Sequence, residues 1–173
     1  MIILMVEEIN GLPAHVLLVH AVVIVIPLAA LLTVLSALWP AARRRLGIVT
    51  PIVALIALIL VPVTQNAGSW LQSRLPNAPL IAAHAELGDT MLWFAIGLFV
   101  AALLAWGVPT LLTRNSRQAP PPWVGVVVAV VAIALAGASV VQVFRVGESG
   151  SKAVWTGSFC PERVNADGSC PAA

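Results

Sequence analysis

The segment from Pro13 to Arg45, "PAHVLLVHAVVIVIPLAALLTVLSALWPAARRR", decides the fold. From His15 to Trp39 it carries no charged residue, and at roughly 1.5 Å of helical rise per residue it can cross a hydrocarbon layer of about 30 Å. Three more apolar runs follow, at about Gly47 to Pro62, Thr90 to Leu112 and Trp123 to Val143. Pro40, Pro76, Pro79 and "APPPW" (Ala119 to Trp123) mark the joins, because proline ends or starts a helix far more readily than it continues one. The fold class read from this pattern is all-α: an integral membrane four-helix bundle over residues 1–145, followed by a polar tail over 146–173.

Composition excludes most other classes. Of 173 residues, 60% are hydrophobic and only 9% charged, and the mean hydropathy is +1.01, well beyond what a water-soluble core requires. Nine Lys and Arg against seven Asp and Glu leave a net charge of +2, too small and too scattered for nucleic acid to be a partner. No charge lies at the centre of any span, which argues against ion-coupled transport or proton pumping, since both need ionisable groups inside the membrane. The chain has no glycine-rich phosphate loop, nucleophile elbow, CxxC or HExxH motif, so no catalytic constellation is expected.

Charge placement gives the orientation. Arg43, Arg44 and Arg45 follow the first helix, Arg114 and Arg117 follow the third, and no acid accompanies them. These loops are expected to be cytoplasmic, with both termini outside. The start "MIILMVEEIN" lacks a basic n-region and a small-residue cleavage site, so it is read as an amphipathic lead-in on the outer interface and not as a cleaved leader.

The two halves share a layout: a histidine, a long helix, a Trp and Pro, arginines, then a second helix. His15 precedes Arg43 by 28 residues and His84 precedes Arg114 by 30, placing the two histidines within about 3 Å in height. The expected arrangement is two helical hairpins in a parallel pseudo-repeat about the membrane normal. His20 lies about 7 Å deeper than His15 and about 140° round the helix, so the two are poor co-ligands. A buried imidazole needs a polar partner, and Thr64, Gln65 and Asn66 stand at the right depth for His20, to specify packing or, alternatively, to support proton or quinone chemistry.

At the third helix, Asn77 is an N-cap candidate ahead of Pro79. The outer turns "HAELGDT" bring Gly88 and Asp89 back toward the face of His84, whereas Glu86 points away. His15, His84 and Asp89 are therefore candidate ligands for zinc or copper, or the two histidines for haem b; the alternative is a plain hydrogen-bonded clasp with no cofactor. In the tail, Cys160 and Cys170 bracket a turn-forming Asp167-Gly168 pair, and an oxidising exterior favours a disulfide there.

The expected function is that of a non-enzymatic accessory subunit of the bacterial plasma membrane. It would pack among lipid and other integral membrane subunits. The alternative is a small haem- or metal-binding electron carrier.

"INGLPAHVLLVHAVVIVIPLAALL" (Ile9 to Leu32), "HAELGDT" (His84 to Thr90) and "VGESGSKAVW" (Val146 to Trp155) resemble the bacterial predicted-membrane-protein family termed domain of unknown function 2231. The matching positions are His15, His20, His84, Gly150 and Trp155. Val16 stands where that family usually has proline, and Ala21 and Val22 stand where it has an aromatic residue and a proline. The resemblance implies a four-helix membrane module sometimes found beside respiratory or redox domains, and with it an accessory place in a respiratory electron-transfer complex.

Overall fold

The structure, a computed structural model, describes residues 7–115 and 121–157. Arg117, Cys160 and Cys170 lie outside the described residues, as do the disulfide expected between the two cysteines and most of the expected tail. The described chain forms α1 (Ala14–Leu38), α2 (Pro40–Leu46), α3 (Val49–Gln72), α4 (Pro79–Asp89), α5 (Met91–Asn115) and α6 (Pro122–Trp155). A two-residue antiparallel pairing of β1 (Glu8–Ile9) with β2 (Leu12–Pro13) precedes α1. It turns on Asn10 and Gly11, both at positive φ, as an Asn-Gly hairpin requires. The hairpin takes in Glu8 to Asn10, the last residues of the expected amphipathic lead-in, of which residues 1–6 lie outside the described residues.

Four helical segments are long and apolar enough to cross a membrane: Ala14–Leu38, Val49–Gln72, Pro79–Leu112 and Pro122–Trp155. Pro27, Pro62 and Pro109 sit inside α1, α3 and α5 without ending them, which neighbouring helices and hydroxyl side chains make tolerable within a bundle. Pro62 was expected to end the second span, yet α3 continues to Gln72. The last helix likewise continues beyond Val143 to Trp155. There its polar extension gains an ion pair between Glu148 and Lys152 at 2.7 Å, one turn apart as helical pairing demands. Helix α4 begins at Pro79 with Ala78 as N-cap and no side-chain cap, so Asn77 does not cap it.

Each span buries a stripe with helical spacing. On α1 it is Ile26, Ala29, Ala30, Thr33 and Ser36; on α3 Thr50, Ala54, Ala57, Val61, Thr64 and Ala67; on α6 Val128, Ala132, Ala136, Ser139 and Gln142. On α5 Ala95, Leu98, Ala102 and Ala105 complete the core. Alanine dominates the inside while Val23, Ile24, Leu31, Val130 and Phe144 face outward. Between helices in lipid, small residues permit close backbone approach and the larger side chains are left to the acyl chains. Buried hydroxyls line the seams: Ser36 and Thr50 share a hydrogen bond of 2.9 Å between α1 and α3, and Ser139 of α6 shares its single proton between the Leu135 carbonyl of its own helix at 2.7 Å and, more weakly, the Phe94 carbonyl of α5 at 3.1 Å.

Candidate functional site

The start of α1, the end of α3, α4 and the end of α6 meet at one end of the bundle, hereafter the histidine end. His15 enters from the first turn of α1, with its Nδ1 3.0 Å from the Thr64 carbonyl. A carbonyl can only accept, so His15 carries its proton on Nδ1 in this contact. His84, on α4, places Nδ1 2.9 Å from Ser149 Oγ. The Ser149 hydroxyl donates its single proton to the Val146 carbonyl at 2.8 Å, and so accepts from His84 Nδ1–H. In their neutral forms both imidazoles would thereby be the same tautomer, protonated on Nδ1 with the lone pair on Nε2.

The two rings lie edge to face, with centroids 6.3 Å apart and an interplanar angle of 74°. Each is pressed onto a glycine of the partner helix. A Cβ built on Gly68 of α3 would stand 2.9 Å from His15 Nδ1, and one on Gly150 of α6 would stand 3.0 Å from His84 Cε1. The Gly68 contact is closer than a methyl group permits and the Gly150 contact is tight enough that the ring would have to give by a few tenths of an ångström, so glycine eases both rings in. The two contacts also share a form. In each, a histidine rests on a glycine one turn beyond a carbonyl of its immediate hydrogen-bond network, Thr64 before Gly68 and Val146 before Gly150.

The remaining expected site residues divide clearly. Among the described residues no three His, Cys, Asp or Glu side chains gather to hold a metal ion, so Asp89 does not join the histidine pair. Its carbonyl instead accepts from Gln65 Nε2 at 3.2 Å, beside the stronger bond from Gln65 to the Gly88 carbonyl at 2.9 Å. His20 was expected to reach Thr64, Gln65 or Asn66, but it is exposed on the bundle surface and its Nδ1 contacts the Val16 carbonyl of its own helix at 2.6 Å. The rotation between the two histidines explains this: α1 turns His15 inward onto Thr64, and His20 must then face out.

Three contributors carry no motif of their own. Gly68 is an isolated glycine in a helical run, Ser149 lies in a Gly/Ser-rich stretch that reads as loop, and Gln142 sits in an otherwise apolar span. Gln142 Nε2 donates to Thr90 Oγ1 at 2.7 Å, so Gln65 from α3 and Gln142 from α6 hold the α4–α5 junction from two sides. At the opposite end, Arg43, Arg44 and Arg45 line α2 and Arg114 lies in the last turn of α5; this is the arginine end.

Four apolar spans around an alanine-lined core define a multi-pass α-helical membrane protein. The chain belongs to the predicted membrane protein family DUF2231, whose profile matches residues 11–159. No curated protein and no solved structure matches it.

Proposed function

We propose that the protein is a small membrane-embedded electron carrier in which His15 and His84 ligate one metal centre. The carrying observation is the pair itself, two rings 6.3 Å apart with Nδ1 engaged and the Nε2 lone pair left over. With each Nδ1 engaged, Nε2 of His15 and Nε2 of His84 are the atoms that would hold the metal. Two histidines and no third protein ligand are the donor set that haem b would use. Zinc would take three or four protein ligands, and no such cluster forms among the described residues. A bound haem would supply one-electron chemistry. The chain's own part is to fix both tautomers through the Thr64 carbonyl and Ser149, and to orient the rings against Gly68 and Gly150.

An optical spectrum of the purified full-length protein, produced with ample haem precursor, tests this. A Soret band lost in His15→Ala and in His84→Ala is the expected result. Correctly inserted protein without Soret absorbance or stoichiometric iron would overturn the reading.

A second reading, an accessory subunit of a larger respiratory membrane assembly, draws on a different observation. Ala134, Gly137 and Ala138 face outward on α6, and a Cβ at Gly137 meets nothing within 4 Å, so a partner helix could approach closely there. A stoichiometric partner from native membranes, lost in Gly137→Leu, would favour it. Under both readings we place the protein in the bacterial plasma membrane with the arginine end cytoplasmic and the histidine end outside, the two His–Gly contacts being traces of a parallel two-fold repeat.

A further inference from the structure

The arginine end contains a small cavity between α1, α5 and α6, lined by Ala37, Arg43, Val108, Leu112, Gly125 and Val128, with a volume of about 90 Å³. A water occupies roughly 30 Å³ and a drug-sized ligand needs about 300 Å³ or more, so the cavity admits a headgroup-sized fragment and not a whole cofactor. Among the described residues Arg43 is the only charged one in its lining. Its guanidinium is partly buried and donates to the Ser36 carbonyl at 3.4 Å, a long bond for a group with five donors. Burial, and then the neighbouring Arg44, hold its pKa below the ordinary arginine value, as expected of a cation short of both water and counter-charge.

The chain does not supply that counter-charge. No Asp or Glu occurs between Glu8 and Glu86, or between Asp89 and Glu148, so none of the helix ends meeting here carries an acid. The surroundings are instead hydrocarbon-like: Leu38 and Trp39 stand 57% and 60% exposed beside α2, and tryptophan at that level marks a membrane interface.

We infer that this cavity is a binding site for an anionic phospholipid, with the phosphate on Arg43 and the adjoining chain along the apolar wall of α5 and α6. The lipid phosphate meets the unpaired guanidinium while its hydrocarbon covers Val108, Leu112 and Val128. A free phosphate ion would satisfy only the first of these. Basic pockets between spans at the cytoplasmic face are suited to such headgroups.

The test uses full-length protein exchanged into vesicles of equal phosphatidylglycerol and phosphatidylcholine, extracted in mild detergent, with retained lipid counted by native mass spectrometry. One phosphatidylglycerol per chain is expected. Arg43→Gln should lower retention roughly five-fold or more, whereas Arg44→Gln should change it less than two-fold. Gly125→Leu supplies a variant that keeps every arginine: Gly125 lines the cavity and a Cβ there meets nothing within 4 Å, so leucine fits without a clash, crowds the site and should lower retention even if Arg43→Gln proves unstable. Equal retention of phosphatidylcholine, displacement by millimolar inorganic phosphate, unchanged retention in Gly125→Leu, or equal losses in Arg43→Gln and Arg44→Gln would each overturn the assignment.

Discussion

His15 of α1 and His84 of α4 meet edge to face at 6.3 Å, and each ring takes up space that a side chain on the helix behind it would contest. The contact therefore depends on four residues, two imidazoles and the glycines at 68 and 150, and its energetics can be probed at the glycines without touching a ligand nitrogen.

Gly68→Ala and Gly150→Ala should each destabilise the bundle by about 1–3 kcal/mol, the usual cost of forcing extra volume into a packed site. The new methyl would stand 2.9 Å and 3.0 Å from the nearest ring atoms, so the imidazole or the helix must shift. Gly137→Ala is the contrast. Its Cβ meets open space, and removing a helical glycine should leave stability unchanged or raise it by up to about 1 kcal/mol. Thermal unfolding in detergent, compared across the three variants, measures both outcomes.

The membrane class and the four spans were legible in hydropathy, and charge alone separated the arginine end from the rest. The height match of His15 with His84 was also legible, because helical rise is a fixed ruler. Helix rotation was not. In α1 the inward Ala29 and Ala30 and the outward Ile24 and Leu31 are all apolar, so the faces differ in size and not in polarity, and hydropathy could not show that His20 points out. The extension of α6 was hidden for a different reason. "GESGSK" (Gly147 to Lys152) reads as loop by propensity, yet Ser149 and Gly150 are held by His84 from α4, a tertiary contact overriding a local preference. The Asn10-Gly11 turn and the Glu148–Lys152 spacing were signals that could have been used.

The buried pair Ser36 and Thr50 offers a clean double-mutant cycle. Ser36→Ala alone strands the Thr50 hydroxyl and should cost about 1 kcal/mol, whereas Ser36→Ala with Thr50→Val removes both polar groups and should come near neutral. A coupling of roughly 0.6–1.7 kcal/mol is expected for a hydrogen bond between membrane helices. Unfolding in mixed micelles supplies the four values, and zero coupling would mean that the 2.9 Å contact contributes nothing to the α1–α3 seam.

Orientation is open to chemical labelling. In a background with Cys160→Ser and Cys170→Ser, Asn77→Cys should react with an impermeant maleimide added outside intact cells, while Ala42→Cys should react only after permeabilisation. Asn77 is exposed in the connection between α3 and α4, and Ala42 adjoins the arginines of α2. Labelling of Ala42→Cys from outside would reverse the topology and move the histidine end to the cytoplasm.

The last prediction concerns the two glutamines that grip the α4–α5 junction. Gln65 donates to the carbonyls of Gly88 and Asp89, and Gln142 to Thr90 Oγ1, with a weaker approach to the Leu87 carbonyl at 3.4 Å. Leu87 to Thr90 are the residues through which α4, and with it His84, is attached to the spanning α5. Replacing either glutamine by leucine keeps the approximate volume but removes these bonds, at a cost of about 1 kcal/mol each. The spans themselves pack through alanine and should remain assembled. Hydrogen exchange at residues 84–90 should accelerate in Gln65→Leu and Gln142→Leu and most in the double variant, while amides in the middle of α1 and α5 stay protected. Uniform acceleration through all four spans would show that the glutamines support the whole bundle; no change at residues 84–90 would show that the His84–Ser149 contact positions α4 without them.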